Sequence, residues 1–177
     1  MTALASAKPP RGPRPILQAV FVTTALAVLA PIGGALVATV ARGRPLPWQF
    51  HMPWVSPHLA AALIALALGA VQLGLKKGDR RHRMLGYAWL AIIAYICVSG
   101  LLIQLEPGHV TIIHMASSAF AVADLLLLPL IVWSARTGRR RLHKGAVLAL
   151  FAGMLSAGLQ AFIPWRTGGL LIAGLFH

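Results

Sequence analysis

The stretch PHLAAALIALALGAVQLGLKKGDRRHRMLGYAWLAIIAYICVSGLLIQ, residues 57–104, decides the fold. Two apolar runs, Pro57–Leu75 and Arg83–Gln104, flank a loop of lysines and arginines. Each run is close to the ~20 residues a helix needs to cross the hydrocarbon of a bilayer. A basic loop between two such runs is retained on the cytoplasmic side. The stretch therefore predicts a transmembrane helical hairpin.

Working outward adds three more spans. Ile16–Val40 precedes the hairpin and holds Pro31-Ile32-Gly33-Gly34, where a kink is expected. Val110–Ser134 and Gly145–Pro164 follow it. The last apolar run, Gly168–Phe176, is too short to cross and is expected at the interface or tucked against the bundle. The fold class is all-α, an integral membrane bundle of five helices over residues 16–177 with a short apolar tail. Residues 1–15 carry Lys8, Arg11 and Arg14 among prolines and are expected to be a disordered cytoplasmic tail. The first run is longer than the 7–15-residue core of a signal peptide, although the small residues over Ala38–Ala41 leave a cleaved leader as the second reading.

Composition agrees. The chain is 58% hydrophobic and 11% charged, with a mean hydropathy of +0.78. Soluble domains carry about 25% charged residues, so the bilayer is the expected solvent and partner. A net charge of +13 would suit nucleic acid, but its placement excludes that reading. The Lys/Arg residues fall almost wholly in short loops, where they orient the spans. Thirteen of the sixteen share one side: Lys8, Arg11, Arg14, Lys76, Lys77, Arg80, Arg81, Arg83, Arg136, Arg139, Arg140, Arg141 and Lys144. The other three, Arg42, Arg44 and Arg166, lie opposite. The split predicts an N-terminus inside and a C-terminus outside, in a bacterial inner membrane. Trp48, Trp54 and Trp165 then mark the outer interface, and Trp89 and Trp133 the inner one. Cys97 is the single cysteine, which excludes an intramolecular disulfide and a cysteine metal cluster; it reads as a small buried hydrophobe.

Four histidines stand at the starts of spans. Ser56-Pro57-His58 reads as a helix start, with Ser56 as N-cap and Pro57 at the first helical position. His58 shares a helical face with Ala62, Ala65, Gly69 and Gln72, small enough for close helix packing or for a flat cofactor. His82 opens the third span, His114 lies just inside the fourth, and His143 opens the fifth. His58 and His114 thus belong to the outer layer, and His82 and His143 to the inner. The layers are separated by roughly 26 Å, for ~17 residues at 1.5 Å each. Helix N-termini and nearby arginines disfavour imidazolium, and neutral imidazole is the form that ligates metal. Two pairs, His58/His114 and His82/His143, are candidate axial ligands to the iron of haem b, with Arg83 and its neighbours available to haem propionates. A quinol is the candidate electron donor. The plain alternative is that interfacial histidines and basic loops reflect topology alone. His51, His109 and Met52, in outer loops, form a weaker candidate copper site.

Asp124 falls near the middle of the fourth span, where a carboxylate is costly and a candidate for function. Gln72, Gln160, Ser117 and Ser118 are its expected hydrogen-bond partners. This set gives a second reading, a proton or substrate path in a small non-redox transporter or an accessory subunit. A neutral Asp124 tying two helices together is the structural one. No catalytic triad, phosphate-binding loop or zinc-hydrolase motif is present.

His58, Gly69, Gln72, Lys77-Gly78, His82-Arg83 and Leu85-Gly86, continued by Ser99, Ile113-His114, Pro129, Gly138, His143, Gly153, Ala157-Gly158, Phe162, Pro164 and Arg166, resemble the pattern of a bacterial multi-pass membrane family known as a domain of unknown function. The resemblance spans about residues 55–167, and its loop Lys-Gly-x-x-x-His-Arg-x-Leu-Gly is its most specific part. It implies an inner-membrane protein and no particular activity. In that pattern the histidine of span four stands about one turn further in, near Ser118. The architecture also resembles the ascorbate-dependent transmembrane di-haem cytochromes b, which ligate haem from the second with the fourth and the third with the fifth helix. Those proteins have six spans and a longer stretch between their first two ligands.

Overall fold

The computed structural model of the chain describes residues 15–75, 77–105, 112–160 and 167–173. Residues 1–14 of the expected N-terminal tail, His109, Trp165 and Arg166 lie outside the described residues, as does the side chain of His114; Pro15, the last residue assigned to the tail, opens the first helix. Within them the chain is helical: α1 Pro15–Ala41, α2 Val55–Gly74, α3 Arg80–Gln104, α4 Ile112–Arg136, α5 Arg140–Gln160 and a short α6 Thr167–Ala173. A single 3₁₀ turn, Trp48–His51, leads into α2. Five of these helices are long and apolar enough to cross a membrane. Even α2, with 20 residues, reaches about 30 Å at 1.5 Å per residue, the thickness of the hydrocarbon core.

The helices outrun the apolar runs where basic residues extend them past the hydrocarbon. α5 begins at Arg140, five residues before the expected start at Gly145, because arginine and lysine are good helix formers. α1 continues through Pro31 and α4 through Pro129. The start of α2 differs from the expectation in detail. Its N-cap position is Trp54, with no side-chain cap, and the Ser56 hydroxyl donates instead to Phe50 O at 3.2 Å. Pro57 still sits in the first turn, where its missing N–H leaves no intrahelical bond unmade.

Neighbouring helices pack in chain order, α1 on α2, α2 on α3, α3 on α4 and α4 on α5, and α1 also touches α5. The five thus close a ring, with α6 laid against α1; the described part of the apolar tail, up to Ala173, tucks back. Across the interior α2 also touches α5. The core is built from Ala25, Val28, Ala65, Leu66, Trp89, Ile93, Leu150 and Phe151, with Met154 and Leu155 beside them. Outward residues such as Val37, Leu126, Met115 and Leu159 are exposed apolar side chains, suited to lipid.

The α2–α3 connection is a hydrogen-bonded clasp. Lys77 Nζ donates to Gln72 O at 2.6 Å, near the C-terminal end of α2. Gly78 then takes φ +85°, a conformation that costs any residue with a Cβ. Asp79 caps α3 by accepting from His82 N at 2.7 Å, and Arg83 Nη1 donates back to Gly78 O at 2.8 Å. Gln72 Nε2 donates to His82 O at 2.7 Å in the space left by Gly86, where a Cβ would stand 3.0 Å from it. Replacing Asp79 with alanine is expected to cost about 1 kcal/mol, and Asp79→Asn only a few tenths, since asparagine caps as well. Thermal melting in detergent checks this; equal losses would mean that charge rather than the cap matters.

Candidate functional site

At this basic end the clasp uses the side chains of Gln72, Lys77, Asp79 and Arg83, and leaves the imidazole of His82. Its Nδ1 is buried and has no hydrogen-bond partner, and the same holds for Gln72 Oε1. Lys77, His143 and Asp79 are its electrostatic neighbours. His143, in the first turn of α5, bonds through Nδ1 to Ile131 O at 3.1 Å. A carbonyl only accepts, so Nδ1 carries the proton, and in the neutral ring Nε2 carries the electron pair. Ile131 O also accepts from the buried Ser134 hydroxyl at 3.0 Å.

At the opposite end His58 bonds through Nδ1 to Ser99 Oγ at 2.9 Å. Ser99 is buried on α3 and its hydroxyl donates to Tyr95 O at 2.7 Å. When its one proton goes there, the Ser99 oxygen accepts, and His58 donates through Nδ1. Again Nε2 holds the electron pair in the neutral ring. The His58 ring lies on Gly100, where a Cβ would come within 3.3 Å of Cε1. Close by in sequence on the same helix, Gln104 Nε2 donates to Gly100 O at 3.1 Å and Gln104 Oε1 accepts from Ser118 of α4. Ser117 donates to Gln160 Oε1 of α5 at 3.0 Å. These bonds tie α3, α4 and α5 together at this end.

The middle is packed. Trp89 is 4% exposed, its indole N–H donates to Ala65 O at 2.8 Å, and its ring lies 6.2 Å from that of Phe151. A Cβ on Gly69 would meet Phe151 and stand 3.2 Å from Trp89 Nε1. Trp89 is thus a core residue and not the interfacial marker expected of it: nine residues into α3 it lies about 14 Å from the helix start. Trp133 does fit the interface, being 44% exposed. The small face shared by His58, Ala65, Gly69 and Gln72 serves close packing at its centre, and any flat group is confined to the two ends.

Asp124, about 18 Å along α4 from Ile112, is partly buried and rests against Gly153 of α5, where a Cβ would stand 2.9 Å from Oδ1. Cys97, buried on α3 as expected, is its electrostatic neighbour. The polar groups expected to serve Asp124 have hydrogen bonds elsewhere, Gln72 at the clasp and Ser117, Ser118 and Gln160 among the outer ties. Sequence reading missed Gly153 as its neighbour and Ser99 as the partner of His58; a lone serine in an apolar span was the available signal. Arg83 spends one of the five donors of a guanidinium on Gly78 O. Among the described residues no group of three or more His, Cys, Asp or Glu side chains converges as a metal site, and the second face of the weak copper candidate, His109, lies outside them.

Residues 55–170, more than half of the chain, match the family described as predicted membrane protein (DUF2306). The chain belongs to this family. The matched region begins at the first residue of α2 and takes in both histidine layers and the clasp, leaving α1 outside. No curated protein and no solved structure matches the chain.

Proposed function

We propose that this member of the family is a b-type haem protein of the bacterial inner membrane that serves transmembrane electron transfer, with a quinol as donor. The observation that carries the reading is the way its histidines are held. His58 and His143, at opposite ends of the bundle, are each fixed by a hydrogen bond at Nδ1, to Ser99 and to the Ile131 carbonyl. That is the outer bond that orients a metal-ligating imidazole and sets its tautomer. The buried, unpartnered Nδ1 of His82 adds a nitrogen that no described protein group satisfies.

This donor set fits a group held by two imidazoles. His58 with His114 would hold one haem and His82 with His143 the other. Arg83 and the arginines around it offer donors to propionates. Haem bound through two imidazoles supplies reversible one-electron transfer at iron. The chain itself orients the rings and excludes water with the Trp89–Phe151 core. The expected orientation, N-terminus inside, follows from the charge split, and a C-terminal reporter active only outside the cytoplasm tests it. The central test is the absorption spectrum of protein made with ample haem and purified in detergent, oxidised and reduced. A six-coordinate b-type spectrum is the expected result; a folded, colourless protein would overturn the reading.

A second reading rests on a different observation. Asp124 at mid-span against Gly153, below the Ser117–Gln160 and Ser118–Gln104 ties, suits a proton or substrate path in a small transporter or accessory subunit, with Gln72 at its other end. Asp124→Asn is expected to fold normally. Loss of function in that folded variant would support a proton-carrying role, because an amide cannot exchange a proton; full activity would remove it.

A further inference from the structure

The basic end has a feature that orientation alone does not require. Lys77 of the α2–α3 loop and Lys144 in the first turn of α5 are electrostatic neighbours, and partial burial followed by Lys144 holds the Lys77 ammonium below the usual lysine range. Both helices that start here open with Arg-Arg and carry no acid in their first turn, although the helix dipole already makes these ends positive. Asp79, the single acid at this end, has its carboxylate at the cap of α3. Retaining a loop inside needs positive charge somewhere in it; it does not need cations of two separate loops drawn together. In the α4–α5 loop the Arg139 guanidinium lies 4.4 Å over the ring of Trp133, a half-exposed tryptophan in the last turn of α4. An indole at that depth stands at the level of lipid headgroups.

We propose that the α2–α3 and α4–α5 loops form a docking surface for an anionic phospholipid, whose headgroup phosphate lies between Lys77 and Lys144 and beside Arg139 on Trp133. The choice of lipid over a soluble anion rests on charge complementarity combined with the interfacial tryptophan, which places the cations at headgroup level. Basic surfaces between membrane helices on the positive side recognise anionic headgroups in this way. The bound lipid would link the two hairpins, α2–α3 and α4–α5, at their shared end. The surface is independent of any haem, so the fate of the proposed function does not decide it.

The test uses the full chain purified in a neutral detergent, offered phosphatidylglycerol or phosphatidylcholine with the same acyl chains, with retained lipid read by native mass spectrometry. Phosphatidylglycerol is expected to be retained far more than phosphatidylcholine. The double variant Arg139→Gln/Lys144→Gln, which leaves the clasp intact, is expected to weaken its retention about thirtyfold, from two headgroup-level cations at roughly fivefold each. Melting of the variant in lipid-free detergent checks that it is folded. Equal retention of the two lipids, or undiminished retention of phosphatidylglycerol by the folded double variant, would overturn the proposal. Displacement of the lipid by millimolar inorganic phosphate would also overturn it, in favour of a soluble anion.

Discussion

Trp89→Ala is expected to be the most damaging single replacement in the bundle, with a loss of about 3–5 kcal/mol. Trp89 is 4% exposed and sits where α2, α3 and α5 meet. Its indole N–H bonds the Ala65 carbonyl of α2, and its ring meets Phe151 of α5. In a bilayer little of the loss comes from expelling water, because lipid tails are as apolar as the core; it comes from dispersion contacts forfeited around a hole that the helices only partly close. The same contact makes Gly69 sensitive in the opposite sense. A Cβ there would meet the Phe151 ring and approach Trp89 Nε1 to 3.2 Å, and overpacking typically costs about 1–3 kcal/mol. That exceeds the gain of about 1 kcal/mol from replacing a mid-helix glycine by alanine, so Gly69→Ala is expected to destabilise. The two changes share one space and should not add: Gly69→Ala placed on Trp89→Ala is expected to cost less than on the wild-type background. Thermal unfolding of the four proteins in detergent measures the cycle. Strict additivity would show that Gly69 and Trp89 do not share a contact.

Much of the fold was legible because bilayer thickness fixes helix length. The five spans follow from apolar runs near 20 residues, and the loops from the clustering of Lys and Arg. Helix ends were less legible: α5 starts at Arg140 rather than Gly145, since hydrophobicity marks where the hydrocarbon begins and not where the backbone bonds begin. Which face turns inward was legible only in part. A membrane helix is apolar all round, so the periodicity that reveals the buried side of a soluble helix is muted. Small residues filled that gap at α2, where the face of His58, Ala65 and Gly69 does turn to its neighbours. At α3 nothing in the sequence separated a tryptophan packed on Gly69 from one at the interface, and Trp89 was assigned to the wrong place. The loop Lys77–Gly86 illustrates a different limit. Its residue types stand out in the sequence, yet their roles as helix cap, left-handed turn and clasp emerge only when α2 and α3 are laid side by side. The hydrogen bonds that hold His58 and His143 come from Ser99 and the Ile131 carbonyl, 41 and 12 residues away, distances over which sequence spacing carries no signal.

His82→Leu is expected to act in opposite directions on the empty and the haem-loaded protein, and this contrast separates a ligand from a structural histidine. With no haem bound, the Nδ1 of His82 is buried without a partner, and such a group costs about 1–3 kcal/mol. Leucine removes the unmet polar atom at a modest change of volume, so protein made without haem should melt at a higher temperature. His58 behaves otherwise. It is satisfied by Ser99 and seated on Gly100, so His58→Ala should destabilise the haem-free protein by loss of both the bond and the packing. With haem supplied, each variant is expected to lose one of two b-type spectral components, His82→Leu that of the basic end and His58→Ala that of the opposite end, while the other component remains. A haem-free His82→Leu protein that melts lower than the wild type would mean that His82 has a structural partner. An unchanged spectrum in that variant would remove His82 from the ligand set. The sign of the first measurement and the selectivity of the second follow from one buried nitrogen, so only together do they identify His82 as a group kept at a stability cost for a bound partner.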